Sequence, residues 1–280
     1  MIKMVASDLD GTLLQNGAQA LKPPVFELIR GLREKGILFV AASGRQYPNM
    51  RRMFSEVWKD ILFVCESGAL VMSHDQAIFT SPVPRALCDA IISNILEHEG
   101  CEVLLSGADT SYFTGDCREY ADFITYTMKN TVTVVDDLFS VDRDILKISA
   151  FVHNGRAAKL VPAFTERWGD RISVALSGAE WIDFTIANKG TAIRVLQERF
   201  GFARDEIMAF GDNFNDREML EEVGHPYVME NAAPDVRALC PNHCRRVEDL
   251  LFHGTVFRIP YRDFAAHRAD LPLEVAHARL

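Results

Sequence analysis

The sequence predicts an α/β protein: a parallel-sheet core formed by residues 1–81 and 187–280, interrupted by an inserted α+β unit at 82–186. Three observations carry this expectation. Short apolar runs at 2–8, 37–41 and 61–64 alternate with helical periodicity near 23–35 and 46–57, the order of a parallel sheet with helices on both faces. Beyond Pro82-Val83-Pro84 strand patterns outnumber helical ones. From Lys189 the strand–helix alternation returns.

Each element has a local reason. The run at 2–8 has an apolar centre, Met4-Val5-Ala6, as a strand buried on both faces requires. Pro23-Pro24 opens the helix at 23–35 and Gly36 closes it. The insert reads as helix 84–98, strands 102–105 and 111–114, helix 118–128, strands 132–135 and 145–152, helix 154–167, and strands 171–176 and 181–186. Their spacing implies a mostly antiparallel sheet. The core resumes with helix 189–200, strand 207–210, helix 214–222, strand 226–229 and helix 234–239. A tail at 254–280, with Pro260, Pro272 and several aromatic residues, is expected to pack on the core.

At 280 residues, with 48% hydrophobic and 25% charged residues, the chain has the composition of an ordinary globular protein of one domain with a large insertion, or of two. A net charge of −9 argues against nucleic-acid or anionic-membrane partners, which call for a basic footprint. No apolar stretch approaches spanning length, and the first strand begins almost at once, so a cytoplasmic location is expected. The six cysteines (Cys65, Cys88, Cys101, Cys117, Cys240 and Cys244) are scattered in mostly apolar contexts, as core thiols are. Cys240 and Cys244 flank His243, but no second ligand pair lies near them, so a structural zinc is not expected.

Asp8 and Asp10 leave the first strand and run into Gly11, Thr12 and Leu13. Two carboxylates on alternate residues of a strand's exit point into one space, and they repel unless a cation is shared, which favours a hard divalent metal such as Mg²⁺. Taken alone, the segment equally fits a solvated Asp-x-Asp-Gly turn. Ser43 and Gly44 stand between a buried strand and a helix, where a hydroxyl and free N–H groups meet a phosphate, or where Ser43 merely caps the helix. Lys189 opens the helix after the insert, and Gly211–Asp216 follows a strand.

These segments (Asp8-Leu9-Asp10-Gly11-Thr12-Leu13, Ala42-Ser43-Gly44-Arg45, Asn188-Lys189-Gly190 and Gly211-Asp212-Asn213-Phe214-Asn215-Asp216) resemble, in order, the four motifs of the haloacid dehalogenase-like (HAD) hydrolases. The spacing is most similar to the Cof-type sugar-phosphatase branch (subclass IIB), and the resemblance runs from residue 1 to about 253. It implies the HAD fold, a Rossmann-like core with an α+β cap. It further implies Asp8 as a nucleophile forming an aspartyl-phosphate, and Asp10 as the general acid and base. Mg²⁺ would be held by Asp8, the main-chain carbonyl of Asp10, and Asp212. Ser43, Gly44, Lys189 and Asn215 would bind phosphate, with Asp216 and Thr12 in support.

One departure stands out: the branch has Asn-Gly-Ala after the third strand, whereas this chain has Glu66-Ser67-Gly68-Ala69. Substrate selection is expected from the cap and its rim, with Arg45, Ser67, Trp181 and Asp183 as candidates and Glu180, Tyr112, Arg118 and Tyr120 beside them. The implied function is a Mg²⁺-dependent phosphatase of small phosphorylated metabolites, such as sugar phosphates or phosphorylated cofactors, acting as a monomer or homodimer. A phosphotransferase of phosphomannomutase type and a non-catalytic metabolite-binding regulator are the alternatives.

Overall fold

Five consecutive buried residues, Met4–Asp8, form β1, the strand around which the core is assembled. The computed structural model describes residues 1–253; the tail at 254–280 lies outside the described residues. After β1 come α1 (Pro23–Glu34), β2 (Leu38–Ala42), α2 (Tyr47–Met53), β3 (Ile61–Cys65), β4 (Leu70–Ser73) and β5 (Gln76–Thr80). The next segment supplies α3 (Arg85–Leu96), β6 (Cys101–Ser106), β7 (Ser111–Thr114), α4 (Arg118–Asp122), β8 (Val132–Val135), β9 (Lys147–Val152), α5 (Ala157–Trp168), β10 (Ser173–Leu176) and β11 (Trp181–Thr185). The chain then returns through α6 (Lys189–Phe200), β12 (Ile207–Gly211), α7 (Arg217–Glu222), β13 (His225–Met229), α8 (Pro234–Arg237), β14 (His243–Cys244) and α9 (Val247–His253).

Two sheets result, in the orders β14-β13-β12-β1-β2-β3-β4-β5 and β10-β11-β9-β6-β7-β8. In the first, β1 pairs in parallel with β2 on one side and β12 on the other. Alternate residues of its strands feed two different cores. Val5, Phe39, Phe63 and Phe210 pack with the Val25, Leu28 and Leu32 side of α1, while Met4, Val40, Leu62 and Ala209 pack with Ala192, Ile193 and Leu196 of α6. That two-sided burial is why these strands read as unbroken apolar runs.

The second sheet is covered on one face by α3 and α5, where Val103, Leu105, Ile148, Ala150, Ile182 and Phe184 meet Ile91, Ile95, Phe164 and Trp168, and on part of the other by α4 and its π-helical continuation, where Leu104, Phe113 and Phe151 meet Tyr120 and Ile124. Its other face places Ser106 opposite Lys147, Leu104 opposite Ser149, and Ser149 opposite Asp183. This polar set is turned toward the first sheet.

Several elements differ from the sequence expectation. The helix expected at 46–57 stops at Met53. The stretch 118–128 is a short α-helix continued as a π-helix over Phe123–Thr127, where the hydrogen-bond step lengthens. The hairpin β4–β5 was not expected: its strands carry Ser73-His74-Asp75 at a turn with φ of 48° and 62° at His74 and Asp75, where sequence preference for a turn was weak without glycine. In the second sheet β7 and β8 pair in parallel, an exception to the antiparallel pattern. Among the described residues no helix is long and apolar enough to cross a membrane.

Phe63 has no exposed surface and meets Tyr47 and Phe54 edge-on, at ring-centroid distances of 5.4 and 5.8 Å. Phe63→Ala is expected to cost about 3–5 kcal/mol of stability, measured by denaturant titration. A loss below about 1 kcal/mol would show that this part of the core can collapse around the void.

Candidate active site

The register of the first sheet assembles the site. Asp8 pairs with Ala42, and Ser7 with Phe210, so Asp8, Ser43 and Asp212 emerge side by side at the carboxyl edge of β1, β2 and β12. The strand order reverses direction between β1 and β12, and at such a switch point a crevice opens at the carboxyl edge. The turn after β1 closes over it through Gly11, whose φ is +91°. A Cβ there would sit 1.9 Å from Asp212 Oδ2, so only glycine allows the two loops to approach. Asn231 Nδ2 donates to the Gly11 carbonyl at 2.9 Å and fixes the turn.

Lys189 is the electrostatic centre. It begins α6, which is capped reciprocally by Asn188 and Thr191, and its Nζ donates to Asp8 Oδ1 and to Asp216 Oδ1, each at 2.5 Å. Gly68, with φ of +107°, lets the loop after β3 touch the Asn188 carbonyl; a Cβ would come within 2.0 Å of that oxygen. Burial works to lower the Lys189 pKa, but the charges of Asp216 and Asp8 overcome it and hold the ammonium above its ordinary value. Asp216 is fully spent: its Oδ2 accepts from the main-chain N–H groups of Asp212 (2.9 Å) and Asn213 (3.1 Å).

Asp8 Oδ2, by contrast, is buried without a hydrogen-bond partner. Burial first, and then the neighbouring charge of Asp216, push the Asp8 carboxyl well above its ordinary range, with Lys189 opposing. Asp212 is raised to about 6, by burial and by Asp216, although Thr12 Oγ1 donates to its Oδ1 at 3.0 Å. Oxygens of Asp8, Asp212 and Asp216 all lie within 4.8 Å of one another. Three carboxylates around one ammonium, with one orphaned oxygen, make a donor set that fits a hard divalent cation.

Asp10, unlike the buried carboxylates of this cluster, is exposed. Arg45 grips its carboxylate with two hydrogen bonds, Nε to Oδ2 at 2.8 Å and Nη2 to Oδ1 at 2.6 Å. Ser43 Oγ accepts from the Arg45 N–H at 3.2 Å, which leaves the hydroxyl proton free to donate outward.

Between the two sheets lies a cavity of about 490 Å³. The first sheet lines it with Asp8, Asp10, Ser43, Gly44, Arg45, Glu66 and Asn215, and the second with Leu104, Ser106, Lys147, Ser149, Trp181 and Asp183. Lys147 Nζ reaches across to the Gly44 carbonyl (2.8 Å) and to Glu66 Oε2 (2.9 Å), with Asp183 Oδ2 at 3.8 Å. Burial raises the Glu66 carboxyl, and Lys147 works against the rise.

Of the residues singled out in the sequence, Asp8, Thr12, Lys189, Asp212 and Asp216 come together, and Asp10, Ser43, Gly44, Arg45, Asn215, Trp181 and Asp183 line the cavity. Ser67 does not line it. Its N–H is spent on the Ser43 carbonyl (3.1 Å), with φ of 58°. Nor do Glu180, Tyr112, Arg118 or Tyr120 reach it; Tyr120 is buried among Phe113, Phe151 and Trp181. Cys240, His243 and Cys244 form no metal-capable cluster among the described residues; Cys240 Sγ points at main-chain oxygens and Cys244 Sγ at Met229. Lys147, Glu66 and Ser149 were missed. The signal was present in Lys147-Ile148-Ser149-Ala150, where lone polar residues alternate with apolar ones on a strand.

The sequence profile of the haloacid dehalogenase-like hydrolases matches residues 5–249. The chain is 26% identical over 239 residues to the 5-amino-6-(5-phospho-D-ribitylamino)uracil phosphatase YbjI of Escherichia coli, covering 85% of this chain and 88% of that one. It is 27% identical over 270 residues to an HMP-PP phosphatase of Citrobacter koseri, covering 90% and 96%. Among solved structures, the subclass IIB sugar phosphatase BT4131 superposes with a TM-score of 0.70 at 19% identity, over 86% of this chain and 92% of that one, a likeness of fold.

The pKa of Asp212, about 6 in the folded protein against an ordinary 3.8, fixes a sign. Between these values the metal-free fold binds more protons than the unfolded chain, so this group removes stability as pH rises through that window. A divalent cation needs the ionised carboxylate. Added Mg²⁺ is therefore expected to raise the melting temperature more at pH 8 than at pH 5, with the difference lost in Asp212→Asn. A shift independent of pH in scanning calorimetry would remove Asp212 from the ligand set.

Proposed function

Because the chain belongs to the haloacid dehalogenase-like hydrolases, we propose that it is a Mg²⁺-dependent phosphatase of small phosphorylated metabolites that works through an aspartyl-phosphate on Asp8. The observation that carries this reading is the asymmetry of the Asp8 carboxylate: one oxygen is fixed by Lys189, and the other is buried, unpartnered and part of a residue lining the cavity. The names of the two curated relatives support a phosphorylated metabolite as the substrate.

Asp8, Asp212 and the main-chain carbonyl of Asp10 would hold the cation, which when bound supplies positive charge to the phosphoryl oxygens. The chain's own groups carry the remaining work. A carboxylate oxygen of Asp8 attacks phosphorus, forming a new O–P bond as the ester P–O bond breaks. Asp10 gives its proton to the departing alkoxide. A water molecule then attacks phosphorus, Asp10 takes up the water's proton, and the bond to Asp8 breaks to release inorganic phosphate. Lys189 balances charge on the nucleophile and phosphoryl oxygens throughout, and the Ser43 hydroxyl and Asn215 amide hold the phosphate in place. For Asp10 to act, Arg45 must loosen its two-pronged grip on the carboxylate. The inserted unit serves as the cap that excludes water from this exchange.

The test is phosphate release from phosphorylated sugars, nucleotides and cofactors with and without Mg²⁺. Asp8→Asn is expected to abolish release. Asp10→Asn is expected to lower turnover by about 10²–10⁴ while still accumulating acid-stable phosphoenzyme at a slow rate. Equal residual turnover in the two variants would contradict their separate roles.

A further inference from the structure

We infer that the cavity selects phosphomonoesters whose leaving group is uncharged or cationic and rich in N–H or O–H donors, and turns away leaving groups that carry a second anion. The inference rests on the phosphatase reading above and narrows its substrate class.

It follows from where the cations are spent. Among the residues lining the cavity only Arg45 and Lys147 carry a positive side chain. Arg45 stands at the catalytic end, committed to both oxygens of Asp10. Lys147 stands at the opposite wall, nine-tenths buried, and its ammonium is taken up by the Gly44 carbonyl and by Glu66, with Asp183 next to it. One ammonium thus faces two carboxylates, and among the described residues no uncommitted cation lines the cavity where a leaving group would lie. A second phosphate or a carboxylate placed there would leave water and meet like charge.

What the wall offers instead is acceptors. Asp183 Oδ1 takes the Ser149 hydroxyl at 2.6 Å, while its Oδ2 is 3.8 Å from Lys147, too long for a hydrogen bond. Glu66 Oε2 is ion-paired to Lys147 but buried without a well-directed hydrogen bond. The Asp183 oxygen retains lone pairs for hydroxyl or amine donors on a ligand, while the buried Glu66 carboxylate adds negative charge to the same wall. Trp181 and Leu104 add apolar surface beside them. The same arrangement weighs against a mutase of phosphomannomutase type, since a bisphosphate intermediate would have to seat its second phosphate against Glu66 and Asp183.

The test uses four matched probes: glucose 6-phosphate, glucosamine 6-phosphate, 6-phosphogluconate and glucose 1,6-bisphosphate, with Mg²⁺. The neutral and cationic probes are expected to exceed the two bearing an extra anion in kcat/KM by on the order of 100-fold, mainly through KM. Glu66→Gln and Asp183→Asn, singly and together, are expected to narrow that ratio at least about tenfold by freeing Lys147. Binding of the same probes to Asp8→Asn, measured by calorimetry, gives the ranking whether or not any is turned over. Equal values for neutral and anionic probes in the wild-type protein would overturn this inference while leaving the phosphatase reading standing. Binding in the expected order without phosphate release would do the reverse. The wild-type comparison holds even where a variant fails to fold.

Discussion

One buried ammonium organises the core. Lys189 Nζ lies 2.5 Å from both Asp8 and Asp216, residues that are 181 and 27 positions away in the chain. Carboxylates so deeply buried would be driven to protonate, and removing one partner of such a pair typically costs about 3–5 kcal/mol. The lysine in turn depends on the Asn188–Thr191 cap and on the close approach of Gly68, so the loop after β3 and the start of α6 are held as one piece. The arrangement carries more negative charge than one ammonium can balance. That excess of negative charge is what burial and mutual repulsion act on in Asp8 and Asp212.

The same motif recurs at the junction of the two sheets, where Lys147 stands between Glu66 and Asp183. Contacts between the inserted unit and the core concentrate on one short segment. Gln46 exchanges hydrogen bonds with Ser111 and with both main-chain groups of Thr131, Asn49 donates to the Met128 carbonyl, Arg52 donates to that of Lys129, and Lys147 reaches Gly44. Because Ser43 and Gly44 adjoin that segment, the placement of the inserted unit and the shape of the loop after β2 are physically linked. Two consecutive residues of positive φ, Glu66 and Ser67, sit at this junction. Left-handed geometry in non-glycine residues costs on the order of 1–3 kcal/mol each, and hydrogen bonds from their N–H groups to Arg45 and Ser43 hold them there.

Arg45 links these two centres. Its guanidinium holds Asp10 at the cavity rim, and its main-chain N–H donates to Ser43. One residue thereby ties the loop after β2 to the orientation of the Asp10 carboxylate.

The sequence by itself determined the order of core strands and helices, the four short segments that meet at the carboxyl edge, and the presence of an inserted α+β unit. These were legible because two-sided burial writes continuous apolar runs, and because Asp8, Ser43, Lys189 and Asp212 each follow or begin such an element. Only the tertiary structure decided that Asp10 pairs with Arg45, that the Ser67 N–H is spent on the Ser43 carbonyl, and that Tyr120 is packing. It also brought Glu66, from the turn after β3, together with Lys147 of β9 and Asp183 of β11. Such pairings depend on which strands become neighbours and in what register. A buried lysine in an apolar strand shows that a counter-charge must exist, but not where in the chain it is found.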